Sequence, residues 1–583
     1  VKPKPQPTFL PWRFYVVITL ILLVISGLLA RVVDLTIIKR SFLQHEGNAR
    51  VLRTQSLPAF RGMIVDRNGN PLAVSTSVYS VWVNPREFVD TEHLKALGQL
   101  VGLKPQALQK LLQHDKLKHR EFVYLRRGVP PAVANQIKDL KLAGLYLREE
   151  YKRYYPEGEV AAHVIGLTNV DDQGQEGLEL AYNQWLTGAI GKKSVIKDRL
   201  GRTVSDVQTL QQQVPGKDIT LSIDRRIQYL AYRELLEGLK QTGGSSGSAI
   251  VTDVKTGEIL AMVNYPSFNP NNRARHPTAV YRNRALTDTF EPGSTIKAFT
   301  VATALEAGTV KPDSIIDTHP GWLRVDHRVV RDEHNNGEIS VAQILQRSSN
   351  VGVTKIALAM KPNLLWELLH RVGFGEVTGI GFPGEQSGAL VKRRWAPFTL
   401  ATLAFGYGLS VTPVQLVQAY SIFANNGNKI PLSLLKLDKT PTSERVLPAA
   451  VAQQMMTLLE SVTTEKKATG VRASVPGYRV AGKTGTSLLL GTHGYQKHRY
   501  TTTFVGIAPA SQPALIVAVV VRDPVLGKVR EASMVSAPIF ERIMESSLRI
   551  LNIPPDDLAS LEKKTVTAKV TPPVPAETEK TLD

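Results

Sequence analysis

Residues 14 to 30, FYVVITLILLVISGLLA, carry no charged side chain. Inside a bilayer no water is present to bond the backbone, so a run like this must close its own hydrogen bonds as a helix. It lies at the short end of the about 20 residues that a spanning helix needs. The continuation RVVDLTIIKR is largely apolar, which extends the expected anchor to 14–38, with Arg31 snorkelling toward the interface. Trp12 and Tyr15 suit the interfacial belt. Leu28 and Ala30 make a poor small-residue cleavage site, so the segment is expected to be an uncleaved anchor rather than a signal peptide. Lys2, Lys4 and Arg13 before it nearly balance Arg31, Lys39 and Arg40 after it. Charge alone therefore orients it weakly; residues 1–13 are expected to form the inner tail.

The 583-residue chain as a whole has ordinary globular composition, 43% apolar and 21% charged. There is no cysteine, which excludes disulfides, thiolate metal sites and cysteine nucleophiles. None of the 12 histidines falls in H-E-x-x-H, and Asp326-His327 and Asp332-Glu333-His334 read as polar loop, so no metal is expected. The net charge of +20 is spread along the chain without a long basic run, so no nucleic-acid partner is expected. A basic surface facing an anionic envelope fits better.

Periodicity divides the chain. RGMIVDRNGNPLAVSTSVYSVWVNP alternates around an Asn-Gly turn and predicts strands. LKALGQLVGLKPQALQKLLQHDKL has helical spacing broken at Gly102–Pro105. After the Gly/Ser-rich break near 243–247, GSAIVTDVKTGEILAMVNYP predicts a hairpin; TTTFVGIAP and ALIVAVVVRDP are two later strands. Strands at both ends with helices between predict an α+β domain over 217–552, preceded by mixed elements over 39–216. Residues 553–583, rich in Pro, Lys, Glu and Thr, predict a disordered tail.

EPGSTIKAFT carries the chemistry. S-x-x-K places a lysine one turn from a serine, and it occurs four times: Ser194/Lys197, Ser294/Lys297, Ser433/Lys436 and Ser560/Lys563. Only Ser294 follows a Pro-Gly pair and opens a long helical run, where free N–H groups favour developing negative charge. Downstream, QRSSNVGVTKIA contains Ser348-x-Asn350 at a helix start, and RVAGKTGTSLLL contains Lys483-Thr484-Gly485-Thr486 on an apolar strand. Second copies at Ser267/Asn269 and Lys255–Gly257 fall in loop and turn contexts. The ordered triple S-x-x-K, S-x-N, K-T-G-T is the specific signal.

With these motifs the chain resembles the class B penicillin-binding proteins, and within them the division-specific FtsI type. RGMIVDRNGNPLAVS, KRYYPEGEVAAHVIG, DDQGQEGLE, RNRALTDTFEPGSTIK, SSNVGVTKIALAM and FGYGLSVTP extend the likeness over nearly the whole chain. The resemblance implies a single anchor in the bacterial cytoplasmic membrane with its N-terminus inside. It also implies an elongated mixed α/β pedestal and an extracytoplasmic transpeptidase domain, an antiparallel sheet with helices packed on it. Two stretches depart from the type: Leu488–Leu490 replace polar or basic residues, and Ala532-Ser533 replace a Gly-Gly pair. Both put β-lactam affinity, and the role of main division enzyme as against a specialised paralogue, in doubt.

The implied reaction is peptidoglycan cross-linking through a serine acyl-enzyme, with no cofactor. Ser294 is the expected nucleophile and Lys297 its base, its pKa lowered by burial beside a second cation, Lys483. Ser348 is expected to relay a proton and Asn350 to place the peptide. Lys483, Thr484, Gly485 and Thr486 hold the substrate carboxylate, and the N–H groups of Ser294 and Thr486 form the oxyanion hole. Expected partners are stem peptides, β-lactams as covalent inhibitors, and divisome membrane proteins including a SEDS-type glycan polymerase (FtsW). An elongation-specific class B transpeptidase and a catalytically minor divisome scaffold remain alternatives. A serine β-lactamase fits poorly, because no E-x-x-L-N stretch follows the S-x-N.

Overall fold

The computed structural model describes residues 11–57, 59–90, 92–197, 203–272, 277–391, 396–491, 494–525 and 531–560. Helix α1 (Pro11–Val33) carries the uncharged run, and helical backbone continues through a wider turn at Asp34–Ile38. Trp12–Ile38 is the one helix among the described residues long and apolar enough to cross a bilayer. Asp34 lies inside that stretch, paired with Arg31 at 2.7 Å and Lys39 at 3.1 Å, so its charge is met near the helix end. The expected inner tail falls largely on residues 1–10, outside the described residues.

The rest divides into two compact units. The smaller takes in Ser77–Tyr151 and Gly188–Pro215. It holds an antiparallel sheet in which Gly191–Lys197 lies between Leu52–Leu57 and Thr203–Gln211. Its core gathers Val81, Leu97, Leu108, Leu125 and Ile137 from strands and short helices. The helical break expected at Gly102 is present: Leu94–Val101 ends there with Gly102 at φ 72°.

The larger unit contains residues from Gly216 onward together with Arg61–Thr76 and Lys152–Thr187. The expected single boundary at 216/217 thus gives way to an interleaved one. The cause is burial: Ile64, Leu72, Tyr155, Val164 and Ile165 share one core with Leu221, Ile250 and Phe299. In those early segments Arg61 and Arg153 both bond Glu179 at 2.6 Å, and all three are almost fully buried. Further bonds from Arg61 to Asn183 and Thr187 satisfy the guanidinium, as a buried ion cluster requires.

From Gly216 onward come helix α2 (Arg225–Thr242), strands β1 (Ser246–Asp253) and β2 (Ile259–Tyr265), and helix α3 (Lys297–Glu306). Hairpin β3/β4 (Trp322–Val325, Arg328–Arg331) and helices α4 (Asn350–Ala359), α5 (Pro413–Ala424) and α6 (Ala449–Thr464) follow. Strands β5 (Ala481–Gly491), β6 (Gly494–Ala508) and β7 (Leu515–Arg522) precede helix α7 (Ser536–Ile550). The sheet order is β2-β1-β7-β6-β5, antiparallel throughout. Its central strands are buried on both faces, which explains their unbroken apolar runs. On one side lie α2 and α7; on the other, α3 packs Phe299 against Tyr420 and Phe423 of α5 and against Phe374. Each such buried aromatic contributes roughly 1.5–3 kcal/mol.

Residues 553–560 belong to this unit and not to the expected tail. Tyr478 Oη donates to Ile553 O at 2.7 Å, and Asp556 accepts from Arg479 N and Ser511 Oγ. The remainder of the expected tail, 561–583, lies outside the described residues.

Candidate active site

The S-x-x-K motif at Ser294 sits where a tight turn becomes a helix. Gly293–Ile296 form a 3₁₀ turn and α3 begins at Lys297, whose N–H bonds to Ser294 O. The sequence predicted an α-helical start; the tighter turn, with three residues per turn, eclipses positions 294 and 297 more directly. Tyr420, fully buried, donates to Thr295 O at 2.8 Å and braces the turn from below. Gly293, at φ 56°, lies against edge strand β5, where an added Cβ would come 2.8 Å from Thr486 O. Across the same contact, a Cβ on Gly485 would meet Pro292 O at 2.7 Å. Backbone approach this close is possible only without side chains at both positions.

The S-x-N motif precedes α4. Ser348 has φ 57°, a left-handed conformation costing a non-glycine residue roughly 1–2 kcal/mol. Ser349 caps the helix by accepting from Gly352 N at 2.9 Å. Asn350 Nδ2 donates to Arg331 O at 2.9 Å. The loop after β4 contributes Asp332, whose Oδ1 accepts from Asn350 N at 2.5 Å and Val351 N at 2.9 Å.

Two lysines are fully buried here, each 0% exposed. Lys297 Nζ donates to Ser348 O at 2.5 Å and to Ser348 Oγ at 3.1 Å. Lys483 Nζ donates to Thr484 O at 3.3 Å and Thr484 Oγ1 at 3.2 Å. Burial drives the Lys297 pKa down to about 7, against the opposing pull of the Asp332 and Glu333 carboxylates. Lys483 falls well below its ordinary range, through burial first and the charge of Lys297 second. Of the expected combination, burial beside a second cation, burial is the depressing influence on Lys297. The two amines disfavour being charged together in this dry space.

Ser294 opens onto a cleft of about 650 Å³ lined also by Ser348, Asn350, Thr484 and Thr486. Thr484, Thr486 and Leu488 are alternate residues of β5 and share its cleft face, as strand geometry dictates. Neither lysine is in the lining. Among the described residues the Ser294 hydroxyl forms no hydrogen bond, and Lys297 is held by Ser348 instead. A larger cavity of about 930 Å³, lined in part by Met456, Arg479 and Pro554, holds none of the motif residues.

The other S-x-x-K copies are structural. Ser194 lies in the sheet of the smaller unit. Ser433 Oγ donates to Leu435 O at 2.8 Å, and Lys436 Nζ donates to Arg67 O. Ser560 Oγ accepts from Gly477 N. Ser267 Oγ donates to Glu159 O, and Lys255–Gly257 form a turn around Asp253.

Sequence reasoning missed Asp332, taken for plain loop. It missed Thr469, whose Oγ1 accepts from Thr484 Oγ1 at 2.9 Å, and Tyr407, whose Oη accepts from Leu488 N at 3.4 Å. Ala532, one of the two departures from type, donates its N–H to Thr486 Oγ1 at 3.3 Å. No local pattern signals Asp332 or Thr469, whereas Tyr407 lies in the quoted FGYGLSVTP stretch and Ala532 in one of the two noted departures.

A family model of the penicillin-binding protein transpeptidase domain matches residues 247–545, and one of the penicillin-binding protein dimerisation domain matches 56–221. The chain is 44% identical over 575 residues to the peptidoglycan D,D-transpeptidase FtsI of Escherichia coli, covering 96% of each. It is 42% identical over 550 residues to the probable peptidoglycan D,D-transpeptidase PbpC of Pseudomonas aeruginosa, covering 94% of this chain and 96% of that one. Among solved structures, the transpeptidase domain of Burkholderia pseudomallei penicillin-binding protein 3 matches with TM-score 0.53 and 39% identity, over 58% of this chain and 97% of that one. Penicillin-binding protein 3 of Mycobacterium tuberculosis, complexed with aztreonam, matches with TM-score 0.67 and 26% identity, over 86% of this chain and 98% of that one. With both domains matched in order and nearly the full length aligned, the chain belongs to the penicillin-binding proteins, as a class B member of the FtsI type or a close paralogue of it.

Proposed function

We propose that this protein is a serine D,D-transpeptidase that cross-links peptidoglycan stem peptides during septal wall synthesis and is acylated by β-lactams. The observation that carries the reading is a cleft with Ser294 on its wall and a buried, largely dischargeable Lys297 one turn behind it. Ser294 Oγ attacks the carbonyl between the last two D-alanines and passes its proton to neutral Lys297. The oxyanion collects on the N–H groups of Ser294 and Thr486; one such donor is worth about 3–4 kcal/mol in comparable sites. The C–N bond then breaks, and the leaving D-alanine amine takes a proton through Ser348, which Lys297 already contacts. A neighbouring stem's amine attacks the acyl-enzyme, restores Ser294 and completes the cross-link.

Asn350 places the stem peptide, and Thr484 and Thr486 on the cleft face of β5 hold its carboxylate, with Lys483 buried behind them and Gly485 allowing the strand its close approach to the Ser294 turn. The chemistry needs no cofactor. The substrate lies outside the cytoplasmic membrane, which supports an anchor with residues 1–13 inside and the catalytic domain beyond residue 216 outside. The pedestal of residues 39–216 is the part proposed to engage a SEDS-type glycan polymerase such as FtsW and other divisome membrane proteins. Incubating the full-length protein in detergent with pentapeptide-bearing muropeptides tests the reaction class. Cross-linked dimers appearing in step with free D-alanine support transpeptidation; hydrolysed tetrapeptide alone would make it a hydrolase.

A further inference from the structure

Asp332 follows β4, and its own N–H donates to Gly321 O at 2.9 Å. Its carboxylate accepts four hydrogen bonds. Oδ1 takes Asn350 N at 2.5 Å and Val351 N at 2.9 Å; Oδ2 takes Ser349 Oγ at 2.6 Å and Asn336 Nδ2 at 3.1 Å. The first two free N–H groups of α4 are therefore met by one side chain. The third, Gly352 N, is met by Ser349 Oγ, which Asp332 itself orients. A carboxylate at the start of a ten-residue helix also meets the favourable end of its dipole.

Ser348 directly precedes this clamped start. It is held at φ 57°, and both its carbonyl and its hydroxyl face Lys297 Nζ. That conformation is costly for a serine and persists where neighbouring contacts fix it; the clamped residues 349–351 lie directly on its C-terminal side. We propose that Asp332 is a positioning residue for acylation: its carboxylate clamps the start of α4, so that Ser348 stays in the left-handed conformation that cradles Lys297, and it sets the charge around that lysine. The charged groups facing Lys297 are Asp332 and Glu333 from the loop after β4 and Lys483 from β5. Asp332 favours the protonated amine; burial opposes it.

The inference rests on the acylation chemistry proposed above, and wild-type acylation of Ser294 by penicillin is the control that tests that reading separately. The experiment measures second-order acylation of the full-length protein in detergent from about pH 5 to about pH 9, where a general base of near-neutral pKa titrates. Asp332→Asn keeps the shape but loses the charge. It is expected to acylate at least about tenfold more slowly, with the acid limb moved to lower pH, because a lysine relieved of a nearby anion deprotonates more readily. Asp332→Glu keeps the charge, and its limb is expected to stay near wild type. Ser349→Ala loses one contact to the clamp but no charge; it is expected to slow acylation with the limb unmoved, and it serves if Asp332→Asn fails to fold. Thermal melts check each variant. Wild-type rate and profile in Asp332→Asn would overturn the proposal. So would a slower rate with the same limb in wild type, Asp332→Asn and Asp332→Glu, since that marks a structural role alone.

Discussion

Lys297 is an amine taken out of water, and most of its behaviour follows from that. Its pKa of about 7 leaves a usable neutral fraction at physiological pH, whereas an exposed lysine near 10.4 would offer almost none. The neutral form is the base, so acylation should rise with pH through about 7 and fall about tenfold per unit on the acid side. A stopped-flow pH profile that is flat from about pH 5 to about pH 8 would contradict this. Lys297→Arg cannot supply a neutral base, since arginine titrates above about 12, and should lose acylation almost completely. Lys483→Arg leaves the Lys297 base in place and should retain a measurable fraction. The reverse order of rates, with folding confirmed by melts, would exchange the roles. Ser294, Lys297, Ser348, Asn350, Lys483 and Thr486 were legible because each motif pairs a chemistry with a local spacing. Asp332 was not: three of its four partners lie 17 to 19 positions away, and nothing in RDEHNN says which backbone its carboxylate will meet.

At the scale of elements, the site depends on one edge strand and one turn approaching without side chains. Gly485→Ala would push a Cβ to 2.7 Å from Pro292 O, and the backbone cannot yield as a flexible side chain would. It should cut the acylation rate at least about tenfold through displacement of the Ser294 turn, with a stability loss of about 1–3 kcal/mol. Unchanged acylation by the folded variant would show that the approach is not needed. The hairpin β1/β2 and strands β6 and β7 were legible as apolar runs bounded by turns. The order in which they pair was not, because β1 and β7 are separated by most of the domain and no local signal says that they pair as antiparallel neighbours. The 3₁₀ turn at Gly293 was also hidden: an S-x-x-K stretch reads alike for three or for 3.6 residues per turn.

The whole molecule is an anchored chain whose larger unit recruits early segments into its core. Such interleaving has no local signal, because it is set by which segments share a core and not by a change along the chain. The Arg61–Glu179–Arg153 cluster fastens those segments. Glu179→Ala would leave two buried guanidinium groups unpaired and should destabilise the protein by about 3–5 kcal/mol in denaturant melts; a change below about 1 kcal/mol would mean the cluster is dispensable. The apolar span was legible from its length and lack of charge alone; its retention as an anchor predicts that the N-terminus of membrane-purified protein precedes Phe14 rather than following Ala30. All scales converge on one residue. Full-length protein labelled with a fluorescent penicillin, digested and sequenced by mass spectrometry, should carry the adduct on the peptide containing Ser294, and Ser294→Ala should abolish it at a stability change of about 1 kcal/mol. An adduct on the peptide of Ser194 or Ser433, or labelling that survives Ser294→Ala, would contradict the account.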